Sequence, residues 1–373
     1  MQTKVVVEID ILVAMNPFKG TLTSRKLASI IRNVMTDRGH NVTTVTMSDG
    51  GDGFTEAVSD ALKTAPTSMK VTGPTGKPVM GHYVLKDTKA WIGFSEASGL
   101  SFLDEDERNP METTSYGTGL MIWDAVRQGA RTVTLGLGGS ATNDAGFGMV
   151  QALGVTFRDS HGVMNHPIRG RDLKDIMSVD LSSMDPVLNG VKFHLLSDVK
   201  NPLLGENGAS LVFAPQKGAD ALMALQLEES MRHVASLLAR MTERHTEDVP
   251  GAGAAGGAGF GAMALLGARM LPGTEAMIGL TDLDRLIIHQ DMVIVGEGRL
   301  DNQTQEGKAP YGIALLARRY GVAVTGLFGS VQEGTDTSFL DFVGKVVTDT
   351  VTTDDALSDP EGTFQKLVMS LGF

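Results

Sequence analysis

The chain has 373 residues, with 32 Lys+Arg against 44 Asp+Glu and a formal charge of −12. That acidity disfavours general nucleic-acid binding, which needs a basic field to displace counterions. The absence of cysteine excludes disulfide scaffolds, Cys-ligated zinc, iron–sulfur clusters and thiol nucleophiles together.

The length exceeds what one core usually holds, so about two domains are expected. No apolar stretch reaches the length of a membrane span. The N-terminal MQTKVVVEID carries acids where a signal peptide needs an apolar core, and a cytoplasmic location is the expectation.

In chain order, Ile11–Ala14 reads as a buried strand and Asn16-Pro17-Phe18-Lys19-Gly20 as a loop. A helix with Leu27, Ile30, Ile31 and Val34 on one face follows and ends near Gly39. Val42–Met47 is a strand running into Ser48-Asp49-Gly50-Gly51-Asp52-Gly53, which completes a βαβ unit. Val79–Leu85 and Lys89–Phe94 suggest an antiparallel pair after the turn residues 73–78. A helix over Thr113–Gln128, a strand over Thr132–Leu137 and a helix through Met149 and Leu153 come next. Lys192–Leu196 and Ser210–Phe213 read as strands, Asp220–Arg244 as a long amphipathic helix, and Met263 to Met270 as helical after a Gly/Ala run. Met292–Val295, Ala309–Tyr320 and Val322–Leu327 form a second βαβ unit. The predicted architecture is α/β: a Rossmann-like parallel-sheet domain from 1–70 and 285–373, with a second α/β domain of mixed sheet, 71–284, inserted into it.

Buried strands run repeatedly into loops of Gly, Asp, Asn, Ser or Lys, and in open α/β sheets ligands bind outside the carboxyl ends of the strands. Lys19 can set a point charge on a phosphate or carboxylate. Asp49 and Asp52, with three glycines, suit a hard cation or close approach to an anion. The segment Gly136 to Asp144 is the best phosphate cradle, offering successive backbone N–H groups and a following helix N-terminus. Gly136, Gly138 and Ala141 also match the dinucleotide pattern G-x-G-x-x-G/A, with Asp159 near the place of the ribose acid. An NAD-dependent oxidoreductase is therefore an alternative. Asp198, at a strand end, suits a general base or a metal ligand. Arg299 and Lys308 can neutralise phosphate charge, and Asp301 can hold Mg2+. The eight histidines are scattered, with no H-E-x-x-H, and no G-x-S-x-G elbow occurs.

Eight stretches, in this order, resemble the bacterial glycerate kinase type I family across nearly the whole chain. They are Asn16 to Leu22, Ser48 to Gly53, Arg108-Asn109-Pro110 with Thr113 to Gly119, Gly136 to Gly146, Ser197 to Gly205, Pro215 to Ala219, Gly251 to Gly257 and Gly296 to Lys308. The chain departs from many members in having Asn16-Pro17 for Asp-Ser, Asp52-Gly53-Phe54 for Glu-Gly-Thr, and Ser197 for Cys.

The resemblance implies ATP-dependent phosphorylation of D-glycerate with Mg2+, giving phosphoglycerate, 2-phosphoglycerate being the family's usual product. For that reaction, the residues themselves suggest a site that gives the phosphates of ATP to Gly138, Gly139, Ser140, Thr142 and Asn143, with Lys308. Asp198 or Asp49 takes the hydroxyl proton while the other helps hold Mg2+. Lys19 and Arg299 hold the glycerate carboxylate or the transferring phosphoryl group, and Asp49 and Asp301 are metal candidates. A non-catalytic sugar-acid binding protein is the second alternative. Neither a nucleic-acid nor a membrane partner is expected.

Overall fold

A strand that is apolar on both faces belongs inside a parallel sheet covered by helices. Asp10–Met15 is buried from Ile11 onward, and Met292–Gly296 and Ala323–Phe328 follow the same pattern. The computed structural model describes residues 8–243, 245–301, 304 and 308–372. Arg244, Asn302, Gln303 and Gln305 to Gly307, read above as a helix end and part of a loop, lie outside the described residues. The three buried strands pair side by side in an all-parallel five-stranded sheet. Its order is Phe342–Lys345, Ala323–Phe328, Met292–Gly296, Asp10–Met15, Asn41–Thr44.

The helix Ser24–Asp37 starts at Thr23, whose side chain accepts from Lys26 N–H, a cap that typically contributes about 1 kcal/mol. Its Leu27, Ile31 and Met35 recur every four residues and are buried with Ile11, Val13, Met15 and Phe364. Strand residues alternate faces, so Val293 and Val295 point away from Ile294 and its cluster. The helix Ala309–Arg319 packs on Met292–Gly296 and Ala323–Phe328. Strand order reverses between Asp10–Met15 and Met292–Gly296. The first continues to Asn41–Thr44 on one side, the second to Ala323–Phe328 on the other. This is a topological switch point, the place where open α/β sheets bind ligands.

The chain divides into two compact units. The first is Met1–Asp49, Glu56–Lys63 and Gly273–Phe373; the second is Gly50–Thr55 and Thr64–Pro272. Both are α/β, the first around the parallel sheet and the second around a mixed one. That mixed sheet has the order Arg269–Leu271, Lys192–Leu196, Thr132–Gly136, Lys89–Gly93, Pro78–Lys86, Thr67–Thr72. The first four strands are parallel, and the last two join antiparallel. Among the described residues, no helix is long and apolar enough to cross a membrane.

Two expected elements differ. Ser210–Phe213 is not a strand but most of the short helix Ala209–Phe213. A short apolar run has no period long enough to separate the two forms, and buried Ser210 is held here by Asn143 Nδ2 at 3.0 Å. The helix expected over Met263 to Met270 is displaced toward the N-terminus. It spans Ala254–Leu266, and Arg269–Leu271 is instead an edge strand beside Lys192–Leu196. Small residues permit this, since a Cβ at Gly261 would overlap the carbonyl oxygen of Ala145.

In the second unit, the loop Gly50 to Gly53 lies under the ends of Lys192–Leu196 and Thr132–Gly136. A Cβ on Gly50 would come within 2.8 Å of Leu196 O, and one on Gly138 would overlap Gly51 Cα. Gly138→Ala must therefore push two backbones apart. It is expected to lower stability by about 1–3 kcal/mol, seen in urea as a lower midpoint at unchanged slope.

Candidate active site

Every strand of the parallel sheet delivers its carboxyl end to one cavity of about 390 Å³. Asn16 to Lys19 leave Asp10–Met15, and Glu297 to Asp301 leave Met292–Gly296. Asp49 follows Asn41–Thr44, Gly329 and Ser330 follow Ala323–Phe328, and Val346 and Val347 follow Phe342–Lys345. Backbone bonds hold the loops in place: Asn16 N–H donates to Gly296 O at 2.9 Å, and Ser330 N–H to Gly298 O at 3.0 Å.

The charges in the cavity are mixed. Lys308 Nζ stands 3.6 Å from Asp301 Oδ1, and Arg299 donates to Gln332 Oε1 at 3.0 Å. Glu297 accepts from Thr304 Oγ1 at 2.7 Å. Burial pushes its carboxyl up to about 7; Lys308 and the Thr304 hydroxyl oppose this, while Asp49 and Asp301 add to it. Carboxylates brought this near one another, with oxygen donors only, fit a hard divalent cation. Among the described residues, no group of three or more His, Cys, Asp or Glu side chains is arranged to enclose a metal alone. Mg2+ does not need such a cage, because it is commonly held by one or two carboxylates with substrate phosphates and water. Asn16 Oδ1 is buried in the cavity wall without a hydrogen-bond partner.

The second unit carries the other predicted residues at the ends of two adjacent strands. Leu137 N–H donates to Leu196 O at 3.0 Å, so the Gly138–Asn143 loop and Asp198 leave the mixed sheet at the same end. The loop is rigidly held. Asp144, fully buried, accepts from Ser115 N–H and Oγ–H at 2.7 and 2.6 Å and from the N–H groups of Gly146 and Gly148 at 3.1 and 3.3 Å. Burial raises the Asp144 carboxyl, and these donors oppose it. Ala145 has φ +57° and Ala255, packed near it, +51°. L-residues other than Gly rarely adopt that region, and such strain concentrates at functional loops.

Lys217 enters this loop from behind. It is 2% exposed and donates to Ser140 Oγ at 3.0 Å and to Thr142 O at 2.6 Å. Burial pulls its ammonium down to about 7, against the Asp144 carboxylate, which favours the charge. Thr142 Oγ1 and Asn143 Oδ1 are buried without partners.

The structure thus gathers Lys19, Asp49, Arg299, Asp301 and Lys308 in the first unit, and Gly138, Gly139, Ser140, Thr142, Asn143 and Asp198 in the second. Sequence reasoning gives no role to two residues, Glu297 and Lys217. Glu297 lies between two glycines at a strand end, a signal of the same kind as Asp198. Lys217 follows a segment expected as a strand, and its burial has no signature in composition.

The dinucleotide reading fails on geometry. The regular helix after the loop starts only at Phe147. Gly138 and Gly139 are glycine because Gly51 and Asp52 press against them. Asp159 ends a strand of a separate antiparallel sheet, its side chain accepting from His161 N–H.

Strand-end loops holding paired cations and carboxylates at a switch point define an anion-handling α/β enzyme. The chain belongs to the glycerate kinase family, whose model matches residues 11–372. It is 39% identical to a glycerate kinase of Halalkalibacterium halodurans, covering 88% of this chain and 87% of that one. It is 38% identical to the glycerate 2-kinase of Escherichia coli, covering 87% and 86%. A crystal structure assigned as glycerate kinase 2 from Salmonella typhimurium LT2 superposes with a TM-score of 0.78 at 36% identity, covering 97% of each chain.

Lys217 supplies a test by pH. An unfolded lysine keeps its proton up to its ordinary value of 10.5, whereas the folded one loses it near 7. Between these values the unfolded chain binds more protons, so stability rises with pH across that window. Lys217→Met removes this contribution. The stability of the wild type minus that of the variant should increase from pH 7 to pH 9, by at most about 1.4 kcal/mol per pH unit. Parallel stability profiles from urea unfolding would contradict the assignment.

Proposed function

We propose that this chain transfers the γ-phosphoryl group of ATP to the 2-hydroxyl of D-glycerate, with Mg2+, and releases 2-phosphoglycerate and ADP. The observation that carries the reading is the first unit's cavity, where Lys19, Arg299 and Lys308 meet Asp49, Glu297 and Asp301 at a switch point, in a chain of this family. Phosphoryl transfer needs positioning and charge neutralisation more than covalent chemistry, and those are the groups it uses. Asp49 and Asp301, with Glu297 beside them, are the residues to hold Mg2+. The ion would neutralise charge on the phosphoryl oxygens. Arg299 and Lys308 neutralise phosphate charge, and Lys19 is a point charge for a phosphoryl or carboxylate oxygen. The Gly138–Asn143 loop, kept rigid by Lys217 and Asp144, presents hydroxyl and amide groups to an oxyanion. Asp198 or Asp49 accepts the proton of the attacking hydroxyl.

Coupled measurement of ADP release with D-glycerate, with phosphorus NMR of the product, tests this directly. 2-Phosphoglycerate should appear. Product phosphorylated at the 3-position would overturn the regiochemistry, and no ADP release would leave a binding protein.

Two substitutions divide the roles. Asp198→Asn should lower turnover by roughly 10²–10⁴-fold with little change in melting temperature. A variant with near-wild-type turnover moves the base to Asp49. Asp301→Asn should raise the Mg2+ concentration needed for half-maximal rate, with activity recovering as the metal is raised. A loss that metal cannot restore would remove Asp301 from the metal site.

A further inference from the structure

The lining of the first unit's cavity is chemically mixed. Besides the charged groups, Phe18, Val346, Leu357 and Pro360 contribute hydrocarbon to it. Phe18 is fixed edge-on against Phe364, with ring centroids 5.4 Å apart at 83°, so this wall is preformed. Leu357, on the short helix Thr353–Ser358, is 58% exposed at the cavity's edge. Covering a large apolar side chain of this kind is favourable.

Size separates the reactants. A cavity of about 390 Å³ falls in the range that holds drug-sized ligands, roughly 300–1,000 Å³, well beyond what a three-carbon acid fills. Chemistry separates them further. Every carbon of glycerate carries oxygen, and the triphosphate is charged throughout. The flat purine ring is the one reactant group that matches an apolar wall.

We propose that the apolar wall formed by Phe18, Val346, Leu357 and Pro360 is the binding site for the purine base of the nucleotide. The phosphoryl donor then docks in the parallel-sheet unit, its phosphates directed to the charged residues of the cavity. This rests on the phosphotransfer reading above and adds where the donor binds.

The experiment is calorimetric titration of the full chain with ADP in the absence of glycerate. Two variants accompany it. Ala356→Trp fills the cavity from the helix Thr353–Ser358, and Leu357→Glu places a charge against the ring from an exposed position that the fold tolerates. In each, the Kd for ADP should rise at least about tenfold, a loss of about 1.4 kcal/mol. The KM for ATP should rise in step, and the KM for D-glycerate should change less than about twofold.

Photolabelling with 8-azido-ADP should mark a peptide within residues 342–363 or the one that carries Phe18, and this decides the matter even if Ala356→Trp does not fold. Unchanged ADP affinity in Leu357→Glu, label elsewhere, a rise confined to the KM for glycerate, or no ADP binding by the wild type would each overturn the proposal. The two readings fail separately. ADP binding that the variants lose, without phosphoryl transfer to D-glycerate, retains the base site and removes the reaction. Transfer to D-glycerate with ADP affinity intact in the variants does the reverse.

Discussion

The parallel pairing of Asp10–Met15 with Met292–Gly296 sets the position of everything else in the first unit. Its register runs from Ile11 opposite Met292 to Met15 opposite Gly296, so both strands end at the same level. Asp10 N–H donates to Asp291 Oδ2 across 281 positions of sequence at the other end of the ladder. Because strand order reverses at this pair, the loops leaving it diverge and open a cavity at its end. Gly296 is the tight point. A Cβ there would overlap the carbonyl oxygen of Leu327 on the next strand, so the sheet closes only around glycine.

The electrostatics follow from that geometry. Glu297, Asp49 and Asp301 arrive from different loops, yet the charge of the last two reaches the buried Glu297 carboxyl. Lys308 partly balances them from the start of the helix Ala309–Arg319. A set of oxygen ligands beside cations is costly to assemble in an empty protein. Part of the apolar lining of the same cavity, Leu357 and Pro360, comes from the C-terminal helices. Phe364 and Val368 face the sheet, while Leu357 remains at the edge.

The second unit reaches rigidity by another route. Its loops approach one another backbone to backbone, at Gly50, Gly138 and Gly256, where a side chain would clash. Asp144 and Lys217 then bind the loop from its buried side, leaving its hydroxyl and amide groups little freedom to reorganise. Preorganised polar groups of this kind are what catalysis of charge transfer requires. The high glycine content, 45 residues, is in part the record of these close approaches.

Much of this is legible in the residues. Apolar runs at Ile11 and Met292 mark strands, because buried strands of this kind leave few polar positions to confuse the pattern. The strand-end residues Lys19, Asp49, Asp198, Arg299 and Asp301 stand out because charged side chains directly after such runs have few structural reasons to be there. Short segments are not legible. Ala209–Phe213 has too few residues for a period, and the Gly/Ala helix Ala254–Leu266 has no polar face at all. Local pattern is enough for most of the strands, the polar loops that follow them and the family. It does not say which loops share a cavity, that Lys217 is buried or that the Glu297 carboxyl is pushed up to about 7; those emerge only when the chain is packed. Burial and electrostatic coupling are properties of residues brought together from distant parts of the chain, and no local pattern encodes who those neighbours are.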